Sequence, residues 1–181
     1  MNTTIINLSA GPGSGKSTSA AYLFYLLKSA GKNVELVSEY VKDAYAWENR
    51  TINTYDQIYF LGKQTKRESL LYGKVDYVIT DSPVWMGAYY AMKYCPPLLS
   101  EGIRAATVAF YNQAERDGHR HVFVHLQRSK PYNPAGRYQT EDEAKAMDGE
   151  LKTFLQGLKL DFFQSGTTEE ELKSLLLNIA E

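Results

Sequence analysis

The sequence predicts a three-layer α/β/α sandwich built on a mainly parallel sheet, and three observations carry that prediction. Residues 10–17, Ala-Gly-Pro-Gly-Ser-Gly-Lys-Ser, form a glycine-rich turn between a short apolar run and a segment with helical apolar spacing. Short apolar runs then alternate with helical segments to the end of the chain, the pattern of strands joined by helical crossovers. Several runs close on charged residues, at the strand ends where ligands gather in open parallel sheets.

The elements follow in order. Residues 4–8 read as a buried strand, and residues 17–30 as a helix with Ala20, Ala21, Leu23, Phe24, Leu26 and Leu27 on its apolar side. Gly31 ends that helix as a left-handed cap, and residues 33–38 form a second strand. A polar stretch containing Trp47, Glu48, Asn49 and Arg50 leads into a helix over residues 54–72 with Ile58, Leu61, Leu70 and Leu71 inward. Residues 75–80 are a third strand, closing on Asp81-Ser82-Pro83, and residues 83–93 a short aromatic helix broken by Cys95-Pro96-Pro97.

Ser100 is expected to cap a helix over residues 100–117, followed by a fourth strand at 121–126. Residues 128–140 carry Pro131, Pro134 and Gly136 and read as an exposed loop. Thr140-Glu141-Asp142-Glu143 spells a capping box for a helix reaching about residue 158. A short strand at 160–164 and a helix at 167–180 complete the chain.

Composition narrows the class. At 181 residues the chain is long enough for one domain, residues 1–181, with its own core. A formal net charge of −1 gives no globally basic coat for nucleic acid. The single cysteine, Cys95, cannot form an internal disulfide and reads as a packed or idle thiol rather than a nucleophile, in a reducing compartment. The amino-terminal apolar run is too short for a signal peptide and no run is long enough to cross a bilayer, so the expected location is cytoplasmic, with no membrane partner. His119 and His121 have no cysteine or carboxylate companion at ligand spacing, so zinc is not expected.

The glycine-rich turn carries the chemistry. Gly11, Gly13 and Gly15 remove Cβ atoms where backbone N–H groups must turn toward oxygen anions, and the following helix adds its positive end. Gly11, Pro12, Gly13, Ser14, Gly15, Lys16, Ser17 and Thr18 are thus expected to cradle the phosphates of ATP. Lys16 would reach the β- and γ-phosphates, and Ser17 would ligate Mg²⁺. The usual pattern opens with glycine, and Ala10 stands there; its methyl is small enough for the loop to survive.

Other strand ends supply candidates. Glu39 can accept the proton of an attacking hydroxyl, or else cap a loop or pair with Lys42. Asp81 can orient Mg²⁺ and its waters together with Ser17, or else belong to a simple turn. Arg128, Lys130 and Arg137 sit on the loop after the fourth strand, a lid over about residues 128–140; these cations can close over the triphosphate or remain solvated. Arg137 is the first choice for stabilising the transferred phosphoryl group and Arg128 the second. Aromatic residues crowd residues 40–94, and an acceptor pocket from Tyr40, Trp47, Tyr55, Gln57, Gln64 and Trp85 would stack a nucleobase and bond its edge, although core packing is the competing role. Lys63, Lys66, Arg67 and Lys74 would track phosphates if the acceptor were DNA, or form an ordinary wet helix face.

The phosphate loop, the strand end Ser38-Glu39-Tyr40-Val41-Lys42-Asp43, the helix bearing Gln57 and Gln64, the segment Ile79-Thr80-Asp81-Ser82-Pro83 and the arginine-bearing lid occur in one order. That order resembles small P-loop kinases related to ribosylnicotinamide kinase, and compact bacteriophage kinases that include the 5-hydroxymethyluracil DNA kinases. The resemblance spans nearly the whole chain. It implies a P-loop NTPase fold of the nucleoside and nucleotide kinase type with a five-stranded parallel core, a lid, and transfer of the γ-phosphate of ATP with Mg²⁺. It also implies Glu39 as acceptor-side base, with Asp81 the alternative. The expected acceptor is a nucleoside-type small molecule or modified DNA, with 5-hydroxymethyluracil in DNA favoured over a free nucleoside or ribosylnicotinamide. An ATP-hydrolysing remodelling or switch protein and a non-catalytic nucleotide-binding module are the competing classes.

Overall fold

Five strands pair in one all-parallel sheet: β1 (Thr4–Ser9), β2 (Val34–Val37), β3 (Tyr77–Thr80), β4 (Arg120–Leu126) and β5 (Phe162–Ser165), in spatial order β2-β3-β1-β4-β5. The computed structural model describes residues 1–46, 48, 50–129, 132 and 140–180. Strand β1 is central, with Thr4 in register with Tyr77 on one side and Arg120 on the other. A parallel sheet covered on both faces needs strands apolar throughout, and Ile5, Ile6 and Leu8 are fully buried.

Helices α1 (Lys16–Ser29) and α6 (Glu169–Ala180) cover one face, where Leu23, Leu27, Leu172, Leu175 and Ile179 pack on Ile6, Leu8 and Val124. On the other face lie α2 (Asp56–Ser69), α3 (Val84–Tyr94), α4 (Pro97–Arg116) and α5 (Glu141–Gly157); Trp85, Tyr89, Tyr111, Leu151 and Leu155 form its core with Phe123. The sandwich expected from the alternation is the fold observed.

Several boundaries differ for physical reasons. Helix α4 begins at Pro97 rather than with a Ser100 cap, because proline at the first helical position lacks only an N–H that would go unbonded there. Ser100 instead donates its hydroxyl to the Pro97 carbonyl at 2.9 Å. The last strand starts two residues late: α5 ends at Gly157, and Lys159 turns the chain with a positive φ of 56° before β5 can begin. Helix α2 is shorter than its periodicity suggests, since the Asn53 side-chain oxygen accepts from the Tyr55 and Asp56 amides and fixes its start. The capping box at Thr140 forms as read, with both the Glu143 amide bonded to Thr140 Oγ1 and the Glu143 carboxylate bonded to the Thr140 amide.

Candidate active site

The phosphate loop joins the carboxyl end of central β1 to the first turn of α1. Gly13 and Gly15 have φ of 75° and 101°, left-handed values that a Cβ would strain, so glycine is required at both. Ser14 Oγ donates to the Gly11 carbonyl at 2.8 Å and braces the turn. Lys16 Nζ lies over the loop, donating to the carbonyls of Ala10 at 2.9 Å and Gly11 at 3.3 Å. The Ala10 methyl is fully buried in the core with Leu8 and Leu126, so its departure from the usual glycine is absorbed by packing.

Asp81 closes β3, the strand beside β1. Its Oδ2 accepts from Ser17 Oγ at 2.6 Å, while its buried Oδ1 has no partner among the described residues. A hydroxyl and a carboxylate joined at the helix start, with one carboxylate oxygen left over, are hard oxygen donors that fit Mg²⁺. Ser17 and Asp81 would hold that ion, which supplies charge neutralisation for a triphosphate.

Glu39 follows β2 and lines a cavity of about 370 Å³ that opens beside the loop, shared with Pro12, Lys16 and Lys42. Phe60, Leu61, Met86 and Tyr90 form apolar and aromatic walls, and Asn53, Gln57 and Gln64 add amides. The turn that carries Glu39 leads into a π-helical segment, Lys42–Ala46, which the sequence did not foretell. Helix α2 holds this turn. Gln64 accepts from the Tyr40 amide at 3.1 Å and donates to the Ser38 carbonyl at 3.4 Å, and Arg67 bonds Asp43 Oδ2 at 3.0 Å. Arg67 is therefore a brace for the acceptor-side turn rather than part of a free basic face.

Of the expected acceptor residues, Tyr40, Gln57 and Gln64 line the cavity. Trp85 does not: it is 0% exposed, sealed in the core with its ring stacked on Phe154 at 6.0 Å, and this corrects the expectation. Tyr55 is 79% exposed and does not line the cavity either, because it precedes the first turn of α2 and faces solvent. Trp47 and Arg137 lie outside the described residues, as do most of residues 128–140. Met86, Tyr90 and Tyr94 were missed, although their spacing of four along α3 is the signal of a shared face; Trp85 and Tyr89, also four apart, make the adjacent face, which is sealed in the core.

On the other side of the loop, Arg128 follows β4 and is mostly sequestered. Its Nε donates to Asp148 Oδ2 at 2.8 Å, and its Nη2 donates to the carbonyls of Pro12 at 2.9 Å and Ala144 at 3.2 Å. Asp148, on α5, also accepts from the Gly11 amide at 2.6 Å. His125, near the end of β4, has its pKa lowered by burial, opposed by Asp148 and assisted by Lys152 and Lys16, so this region keeps a neutral imidazole. Among the described residues no group of three or more His, Cys, Asp and Glu is placed to hold a metal.

Residues 5–171 match the family model described as an AAA domain. The chain belongs to that family. No curated protein sequence matches this AAA domain. Its fold is similar to NadR protein in complex with NAD and AMP-PNP, with a TM-score of 0.66 and 15% identity over 90% of this chain and 44% of that one. NadR protein in complex with NR gives 0.68 and 16%, over 90% and 45%. The APS kinase CysC of Mycobacterium tuberculosis, in complex with AMPPNP and APS, gives 0.57 and 11% over 99% of both chains. This AAA domain spans less than half the length of those NadR chains. At such identities the likeness is one of fold alone: the α/β sandwich on a parallel sheet that the alternation of elements predicted.

Proposed function

We propose that the protein is a phosphotransferase that moves the γ-phosphate of ATP to a hydroxyl of a nucleoside-type acceptor. The observation that carries this reading is the shared cavity: Lys16 of the phosphate loop and the Glu39 carboxylate line one ring-sized space with aromatic and amide walls. A flat ring packs between Phe60, Leu61 and Tyr90, and Gln57 bonds its edge. The hydroxyl then faces the loop. Glu39 takes its proton as the oxygen bonds the γ-phosphorus, the bond from that phosphorus to the β,γ-bridging oxygen breaks, and ADP leaves with the electron pair. Lys16 offsets charge on the transferred group. Glu39 is preferred over Asp81 as the base because Asp81 is already bonded to Ser17 on the metal side.

The finer reading is 5-hydroxymethyluracil in DNA as the acceptor, the base leaving its stack to enter the cavity. Exposed Tyr55 and Tyr59, with Lys63 over the Tyr59 ring at 5.3 Å, give the neighbourhood of the cavity a stacking and cationic edge that suits a strand. Free nucleosides and ribosylnicotinamide are the alternative, favoured by the near-zero net charge and by the pairing of Arg67 with Asp43. A second reading, ATP hydrolysis without an acceptor, is favoured by the AAA-domain description of the family.

One assay separates these readings. Purified protein is given γ-labelled ATP and magnesium with no acceptor, with free nucleosides or mononucleotides, and with hydroxymethylated DNA. The proposal expects label on the acceptor and ATP turnover that depends on it. Full-rate release of inorganic phosphate with no acceptor, unchanged by any of them, contradicts it.

A further inference from the structure

We propose that Asp148 is a positioning residue for the nucleotide site, acting through Arg128; this rests on the reading of the loop as the ATP site. Its two carboxylate oxygens are divided between two parts of that site. Oδ1 accepts from the Gly11 amide at 2.6 Å and Oδ2 accepts from Arg128 Nε at 2.8 Å. Arg128 in turn spans from Asp148 to the Pro12 carbonyl. The guanidinium is thereby held across the outer side of the phosphate loop by a charge-assisted bond on one edge and main-chain carbonyls on the other.

The remaining nitrogen, Nη1, is buried without a partner among the described residues and lies 3.6 Å from where a Gly13 Cβ would stand, with the Tyr132 ring 2.8 Å from the same point. A buried guanidinium N–H with no acceptor is costly, and a phosphate oxygen at the loop satisfies it. The side chains of the pair are only 13% and 21% exposed, so solvent screens the pair little. Asp148 takes the Gly11 amide, and its charge is matched by Arg128. Its part is to fix the orientation of a cation whose last donor is left for a phosphate oxygen, and to tie α5 to the loop.

The test needs no knowledge of the acceptor. The dissociation constant of MgATP is measured by calorimetry for the wild type, Asp148→Asn, Arg128→Ala and the double variant. Asp148→Asn is expected to weaken binding about tenfold, and to change it by less than about twofold when Arg128 is already alanine. Arg128→Lys, which keeps the charge but not the two-edged span, is expected to weaken it similarly and supplies a second folded variant. Equal, additive losses in both backgrounds, or an Asp148→Asn protein that binds like wild type, overturn the proposal. A wild type that does not bind MgATP overturns the nucleotide reading itself, and the two failures are distinct.

Discussion

Gly11 illustrates how a single residue is set by what approaches it. A Cβ there would lie 2.4 Å from the Ala144 carbonyl oxygen and 2.5 Å from Asp148 Oδ1. One obstacle is backbone, so α5 must move away from the loop before a methyl can fit. Gly11→Ala is therefore expected to lower the thermal midpoint by about 5 °C, measured by calorimetric or circular-dichroism melting. An unchanged midpoint would mean that α5 does not press on the loop as described. The sequence disclosed Lys16, Ser17 and Asp81 because the chemistry of a phosphate loop dictates residue types at fixed spacing. It could not disclose Asp148, which stands 137 positions from its partner Gly11 in an acidic stretch where nothing marks it out. Trp85 was misplaced for a different reason: a large aromatic ring serves a core and a pocket equally well, and only its position on the helix tells which.

At the scale of elements, α2 links the acceptor side to the sheet and contains a fully buried carboxyl group. Glu68 is fully buried, its Oε1 accepts from Tyr72 Oη at 2.6 Å, and its Oε2 has no partner among the described residues. Burial pushes its pKa up from 4.5 to about 7, against the opposing hydrogen bond from Tyr72. The native state thus holds this proton more tightly than the unfolded chain. Its contribution is most favourable below pH 4.5 and declines as pH rises toward 7, after which the penalty is constant. Glu68→Gln removes the ionisation. In urea unfolding, stability of the variant relative to wild type is expected to improve by about 3 kcal/mol between pH 4 and pH 8. No change in that difference with pH would show that Glu68 ionises as freely folded as unfolded. Element types were legible throughout, because apolar period and turn residues act locally. Ends were not, where one proline, one asparagine side chain or one left-handed lysine decided them. The π-helical segment after Glu39 was hidden for another reason: Arg67 of α2 bonds its Asp43, and Gln64 of the same helix holds the turn before it.

For the whole molecule, strand order explains why these residues meet. With β1 central, its loop lies between the ends of β3 and β4, so Asp81 arrives from one side and Arg128 from the other. Glu39 comes from β2 one strand further out, which leaves room for an acceptor between it and Lys16. The crossovers run from β1 out to β2 and from β3 across to β4, so the site sits where strand order reverses. The amino-acid sequence showed that strand ends would carry the chemistry, whereas the distance between Glu39 and the loop depended on that order. A crystal structure grown with a non-hydrolysable ATP analogue and magnesium tests the central claim most directly. The account predicts phosphates wrapped by residues 13–18, with Lys16 on the terminal phosphate, the metal between Ser17 and Asp81, and that phosphate facing the cavity that holds Glu39. A nucleotide bound elsewhere, or a terminal phosphate turned away from that cavity, would contradict it.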